Sequence, residues 1–270
     1  MFEIEGKVAL VTGGSSGIGE ALVIELLNNG AKGVSIAGTN VESGKKVLNE
    51  LQTRFGVEKV IFVQADVSDK IQFEECFKKT IEKFNNVDIL INNAGIANDK
   101  EFEKMVSVNV NGTINGTLLA IQNYISKYKS GSEGVIVNVS SGAGVHSNEV
   151  VPLYAATKYA VIGLTRSFGT ELHYNINNIR IFAICPGITD TPILNSRENI
   201  LDKRYLENYD KHQHLVIPQP ASDVAKNLMK LITTAKHGSV WLLEPQQAPK
   251  EVQHVLETEF AKKVCNFFKM

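Results

Sequence analysis

A glycine-rich turn between an apolar run and an amphipathic stretch constrains this chain more than any other feature. Val8, Ala9, Leu10 and Val11 form the run, Gly13, Gly14, Gly17 and Gly19 follow with Ser15 and Ser16 among them, and helical spacing begins at Ile18. Glycines permit a tight turn and let the backbone approach an anion without Cβ collisions. A helix opening there directs free N–H groups and a partial positive charge at that anion. Strand, glycine turn and helix in this order form a site for a dinucleotide's pyrophosphate. Gly13, Ser15, Ser16, Gly17, Ile18 and Gly19 are its candidate contacts.

The same rhythm continues along the chain. Apolar runs at 33–37, 60–63, 87–91, 134–139, 179–184 and 239–243 alternate with amphipathic stretches such as 41–55 and 71–84. The runs are continuous in Val, Ile and Leu, as strands covered on both faces require. This pattern predicts an α/β fold: a Rossmann-type, doubly wound parallel sheet of about seven strands flanked by helices. With no repeat or linker to divide it, the chain is expected to be a single domain over residues 1–270.

Two stretches break the rhythm. Residues 190–220 are polar, aromatic and punctuated by Pro192, Pro218 and Pro220. An insertion after the sixth strand would lie beyond the strands' carboxyl ends, where open α/β sheets bind ligands. Ile193, Leu194, Leu201, Tyr205, Leu206, Tyr209 and Leu215 would line an apolar substrate pocket there. In the extension 245–270, Val252, Val255, Leu256, Phe260, Val264, Phe267 and Phe268 keep helical spacing, which predicts a surface or subunit-contact helix.

Composition excludes several classes. With 28 Lys and Arg against 29 Asp and Glu, the formal charge of −1 supplies no field for nucleic acid or an acidic membrane. Cys76, Cys185 and Cys265 lie far apart, so neither a disulfide framework nor metal spacing is expected. His212 and His214 lack neighbouring ligands, and no metal is expected there either. Glu3 and Glu5 stand where a signal peptide would carry bases, and the first apolar run is too short to span a bilayer. A cytoplasmic protein acting on a small molecule is the expectation.

The chemistry concentrates later in the chain. Tyr154 and Lys158 stand four apart in a helical stretch and so share one face, while Ser141 ends the fifth strand. A free phenol, with a pKa of about 10, is a poor base near neutrality. A neighbouring ammonium and a positive nicotinamide would stabilise the phenolate and lower that value. Hydroxyl, phenol and ammonium together suit the interconversion of an alcohol and a ketone. Asn93, Ala94 and Gly95 end the fourth strand, where small residues allow close approach of a ring system. Asn109 lies in an expected helix that it suits poorly, which predicts a kink or a buried water site. Pro186, Gly187, Ile188 and Thr191 form a rigid turn after the sixth strand, beside the expected nicotinamide. Asp66 and the backbone of Val67 could hold adenine, or Asp66 could serve as a turn acid. After the second strand Gly38 offers no carboxylate and no base, and Thr39 and Asn40 could hydrogen-bond either nicotinamide cofactor.

These features together resemble the short-chain dehydrogenase/reductase family over residues 6–245. The resemblance implies a catalytic tetrad of Asn109, Ser141, Tyr154 and Lys158. In it the tyrosine is the acid/base, the lysine binds the nicotinamide ribose and lowers the tyrosine's pKa, and the asparagine holds a relay water. Residues 89–96 and 186–191, with Val240, Trp241, Leu242 and Leu243, are similar to insect-type alcohol dehydrogenases and hydroxyprostaglandin dehydrogenases. That branch generally uses NAD and carries Asp where this chain has Gly38, so NAD is preferred and NADP stays open. The resemblance also implies a homodimer or homotetramer, assembled through helices near 105–128 and 154–173. The expected activity is NAD(P)-dependent oxidoreduction of a secondary alcohol, small or lipophilic. A catalytically silent sensor or scaffold that binds the cofactor is the alternative.

Overall fold

The apolar runs pair into one sheet. The computed structural model describes residues 2–195, 197–207 and 217–253. Its strands are β1 (Val8–Thr12), β2 (Gly33–Gly38), β3 (Val60–Gln64), β4 (Ile89–Asn92), β5 (Gly134–Val139), β6 (Ile179–Pro186), β7 (Val240–Leu243) and β8 (Lys250–Glu251). Their order is β3-β2-β1-β4-β5-β6-β7-β8. All neighbours are parallel except β7 and β8, which pair antiparallel through Trp241 with Glu251 and Leu242 with Lys250.

Successive residues of each central strand enter different cores. Ala9, Val11, Ile89, Ile91, Val135 and Val137 pack with Leu22, Val23 and Leu26 of α1 (Gly17–Asn28) and with Val224, Leu228 and Ile232 of α9 (Ala221–Thr234). Leu10, Leu90 and Ile136 face the other way, onto Phe73 and Phe77 of α3 (Lys70–Phe84) and Leu119 of α5 (Gly112–Gln122). Each such side chain, fully buried, contributes about 1.5–3 kcal/mol. Burial on both faces is why the runs are continuous rather than alternating. The remaining helices are α2 (Val41–Phe55), α4 (Phe102–Val106), α6 (Ile125–Tyr128), α7 (Pro152–Phe168) and α8 (Glu171–Asn177).

Two details depart from the sequence reading. The sheet has an eighth strand, where about seven were expected. Lys250–Glu251 belongs to that strand, so the helical spacing read from residue 246 onward does not produce a helix there; an edge strand this short leaves no period in the sequence. The part of that extension at 254–270 lies outside the described residues. The irregularity expected around Asn109 is, by contrast, present: a π-helical turn, Ser107–Asn111, stands between α4 and α5. Such turns are rare and gather at functional sites.

The strand order reverses between β1 and β4, which opens a crevice at their carboxyl ends. The glycine turn, Asn93 to Gly95, the end of β5 and the start of α7 all reach this edge of the sheet.

Candidate active site

At the crevice the glycine turn is fixed from beside and above. Gly13 has a φ of +64°, and a Cβ there would sit 3.0 Å from Ala94 Cα and from Asn93 Nδ2. Asn93 Nδ2 donates to Thr12 O at 2.9 Å and to Gly13 O at 3.3 Å. Thr12 Oγ1 accepts from the N–H groups of Asn93 and Ala94, both at 3.0 Å. Gly19 crosses so close that a Cβ would lie 2.2 Å from Gly13 O. Ser16 caps α1 with no capping bond from its side chain, and Ile18 opens the helix beside it. This donor set, a helix N-terminus beside a Cβ-free turn, fits a pyrophosphate.

On the ribose side, a Cβ on Gly38 would meet Ser15 Oγ closely at 3.3 Å and Phe62 Cε2 at 3.8 Å, and the serine hydroxyl can turn aside. Thr39 is exposed. Asn40 is committed locally, its Oδ1 accepting from Ser43 N at 3.0 Å as the cap of α2. Asp66 acts as a turn acid, its Oδ1 accepting from Ser68 N at 2.9 Å and Ser68 Oγ at 2.7 Å. Val67 is buried, and its carbonyl accepts from Asn115 Nδ2 at 3.1 Å.

The turn after β6 closes onto the glycine turn. Thr191 Cγ2 lies 3.0 Å from where a Gly17 Cβ would stand. Gln219, buried and 30 residues beyond Thr189, holds this turn in place. Its N–H donates to Ile188 O at 2.9 Å, its carbonyl accepts from Asp190 N at 2.9 Å, and its Nε2 donates to Leu243 O at 2.8 Å. Gly187, directly after Pro186, donates its N–H to Leu243 O at 2.8 Å.

The titratable groups gather where β5 meets α7. Lys158 is buried, donates from Nζ to Val139 O at 3.0 Å and lies 5.6 Å from the centroid of the Tyr154 ring. A Cβ on Gly95 would be 3.4 Å from Lys158 Nζ and 3.3 Å from Asn109 Oδ1, so the glycine leaves room between them. Ser141 is hydrogen-bonded to the Tyr154 phenol and accepts from Ala143 N at 3.2 Å. Asn109 uses its whole side chain: Oδ1 accepts from Ile96 N at 2.9 Å, and Nδ2 donates to Ile96 O at 2.9 Å and Thr157 Oγ1 at 3.0 Å.

Electrostatics here run against the expected fall in the phenol's pKa. Burial pushes Tyr154 up to about 12, against the hydrogen bond from Ser141, and the nearby Cys185 adds to the rise. Burial pulls the Lys158 ammonium down to about 8, opposed by Cys185. At 5.6 Å from the ring centroid, the ammonium does not overcome the cost of a buried phenolate. The phenol is therefore protonated across the neutral range.

One important residue left no sequence signal. Asp99 is 1% exposed, and its carboxylate accepts from Leu153 N and Tyr154 N, each at 2.9 Å. Thr12, Thr157 and Gln219 were also missed; each holds a site residue through a partner distant in sequence. Of the apolar residues expected in the insertion, Ile193, Leu194, Leu201 and Tyr205 are exposed and Leu206 half-buried, while Tyr209 and Leu215 lie outside the described residues, as do His212 and His214. Lys100 Nζ donates to Glu198 O at 2.6 Å and Asn199 Nδ2 to Ala97 O at 3.3 Å, seating the insertion on residues 96–101. Among the described residues no group of three or more His, Cys, Asp or Glu could hold a metal ion. No helix among them is long and apolar enough to cross a membrane.

A family model for short chain dehydrogenase matches residues 7–201. A 15-hydroxyprostaglandin dehydrogenase [NAD(+)] of Mus musculus is 39% identical over 234 residues, 85% of this chain and 86% of its own. Fat body protein 2 of Drosophila melanogaster is 30% identical over 255 residues, covering 93% of this chain and 97% of its own. Among solved structures, a short chain dehydrogenase/reductase of Burkholderia phymatum in complex with NAD superposes with a TM-score of 0.77 at 24% identity, over 90% of both chains.

Proposed function

This chain belongs to the short-chain dehydrogenase/reductase family, and from that premise we propose that it interconverts a lipophilic secondary alcohol and its ketone, with NAD as the hydride carrier. The observation that carries the reading is the meeting of Ser141, Tyr154 and Lys158 at the end of β5, beside a turn built for a pyrophosphate.

A nicotinamide held in the crevice would supply the hydride chemistry, as acceptor for the carbinol carbon or donor to the carbonyl carbon. Ser141 Oγ holds the substrate oxygen by hydrogen bonding. Tyr154 Oη takes the hydroxyl proton during oxidation and gives it back during reduction, so charge and protons balance in both directions. Lys158 brings a positive charge to the phenol's side of the cleft, and Asn109 fixes the segment after β4 at Ile96. Burial favours the protonated phenol, which is the proton donor that ketone reduction needs. Alcohol oxidation needs the phenolate and gains as pH rises.

The remaining cofactor contacts follow from the crevice: Gly13, Ser15, Ser16, Gly17, Ile18 and Gly19 for the pyrophosphate; Thr39, Asn40, Asp66 and Val67 for the adenosine; Asn93, Ala94, Gly95, Pro186, Gly187, Ile188 and Thr191 for the nicotinamide half. NAD is preferred because the relative named above uses it and Gly38, Thr39 and Asn40 offer no cation to a ribose phosphate. The exposed apolar residues of the insertion, with that relative's hydroxyprostaglandin, support a lipophilic substrate. Exposed Val106, Tyr128 and Tyr159 support a dimer or tetramer through the helices near 105–128 and 154–173. A panel of secondary alcohols, from short alkanols to hydroxylated fatty acids, assayed with NAD and NADP tests the reading. Turnover with NAD that improves with chain length is expected. Cofactor binding without turnover of any alcohol or ketone would leave the silent-sensor reading in its place.

A further inference from the structure

We infer that Asp99 is a positioning residue for the reacting phenol. The inference rests on the reading of Tyr154 as the acid/base.

Helix α7 begins in an unusual way. Pro152 occupies its first turn and has no N–H, and Val151, at the N-cap, makes no side-chain cap. The first N–H groups needing an acceptor are therefore those of Leu153 and Tyr154. Both are answered by the buried carboxylate of Asp99, 54 and 55 residues earlier in the chain. A Ser or Asp at the N-cap would satisfy the same groups with a local bond. A distant carboxylate does something a local cap does not: it ties the backbone of the tyrosine to another element.

That element is the segment 96–101, and its other bonds reach the rest of the site. Ile96 exchanges both main-chain groups with the Asn109 side chain. Ala97 O accepts from Asn199 of the insertion, and Lys100 donates to Glu198 O. Tyr154, Asn109 and the insertion are thus referred to one short support, and Asp99 is the member that holds the phenol's own backbone. Charge-assisted bonds to both carboxylate oxygens fix the helix end in translation and in rotation. Hydride and proton transfer are sensitive to such placement, and cofactor binding at the glycine turn is remote from it.

Asp99→Ala, Asp99→Asn and Tyr154→Phe, each saturated with NAD, provide the test. Asp99→Ala should lower kcat by about 10- to 100-fold, the loss expected for a misplaced reacting group, and leave the cofactor Kd within about twofold. Asp99→Asn keeps an oxygen acceptor for only one of the two N–H groups and turns an amide donor towards the other, so it should recover part of the lost kcat. Unchanged kcat in folded Asp99→Ala, or kcat and cofactor affinity falling together, would overturn the inference. If Asp99→Ala is recovered unfolded, Asp99→Asn decides alone. A kcat several-fold below wild type with an unmoved pH profile and an unmoved cofactor Kd supports positioning; a wild-type kcat overturns the inference, and so does a displaced profile, which shows that the carboxylate acts on the phenol by charge. Tyr154→Phe separates the two readings: if it keeps wild-type turnover, the assignment of the phenol has failed, whatever Asp99 does.

Discussion

The two ends of one sheet treat buried charge in opposite ways. At the amino ends of the strands Asp88 is 0% exposed, and its carboxylate accepts from Val8 N at 2.9 Å, Asn86 Nδ2 and Ser130 N at 2.5 Å, and Ser130 Oγ at 2.8 Å. Arg180, also buried, donates to Ala235 O at 2.8 Å, Ile232 O at 2.7 Å and Glu133 at 3.1 Å. At the carboxyl ends Lys158 is equally hidden, yet among the described residues its one hydrogen bond goes to Val139 O. A buried charge with a full set of partners is part of the framework. A buried charge left short of partners shifts its pKa and becomes available for chemistry. Asp88 and Arg180 are thus held as framework charges, while at the other edge Lys158 is left short of partners although the buried Asp99 at that edge is not.

This contrast can be broken at either edge. Asp88→Ala should have the largest effect, a loss of about 3–5 kcal/mol in denaturant unfolding, because four donors lose a buried acceptor. A loss below about 1 kcal/mol would mean that water replaces the carboxylate and that this edge is not a framework. Lys158→Met should do the reverse, with turnover falling about 100-fold or more and the protein becoming more stable, on the order of 1 kcal/mol. The sign follows from the lowered pKa: the folded protein holds the proton less tightly than the unfolded chain. The penalty from Lys158 is therefore complete below about 8 and fades as pH rises towards the ordinary lysine value of 10.5. Thermal melting of both proteins across that range should show the variant's advantage shrinking, and a melting point below wild type at neutral pH would contradict it.

A smaller effect comes from adding a charge at the end of β2, where Gly38 carries none. The space around Gly38 admits a Cβ, so Gly38→Asp should fold normally. It should shift the ratio of Kd for NADP over NAD by about tenfold towards NAD, through repulsion of the ribose phosphate. Equal ratios before and after would show that cofactor choice is made elsewhere.

Much of this architecture was legible in the residues. Strands buried on both faces must be continuous in Val, Ile and Leu, so Val8 to Val11 and the runs after it declared a parallel sheet. The glycine turn and the pair Tyr154 and Lys158 were legible because their spacing is local. The poor fit of Asn109 to a helix announced an irregularity, and the structure has a π-helical turn there. What could not be read is long-range. Asp99 caps a helix 54 residues away, and Gln219 returns to bridge Thr189 and Leu243; nothing periodic marks either residue. The upward push of burial on the phenol's pKa was not legible for a related reason. Spacing brings an ammonium near, but only packing says how much water has been removed.

The most direct test of the account is the pH dependence of single-turnover alcohol oxidation in wild type and Tyr154→Phe, with NAD saturating. Wild type should show a rate that climbs with pH along one ionisation, and the variant should lose both the climb and, by about 100-fold or more, the rate. A Tyr154→Phe protein that keeps the climb would assign the proton to another group and contradict the account.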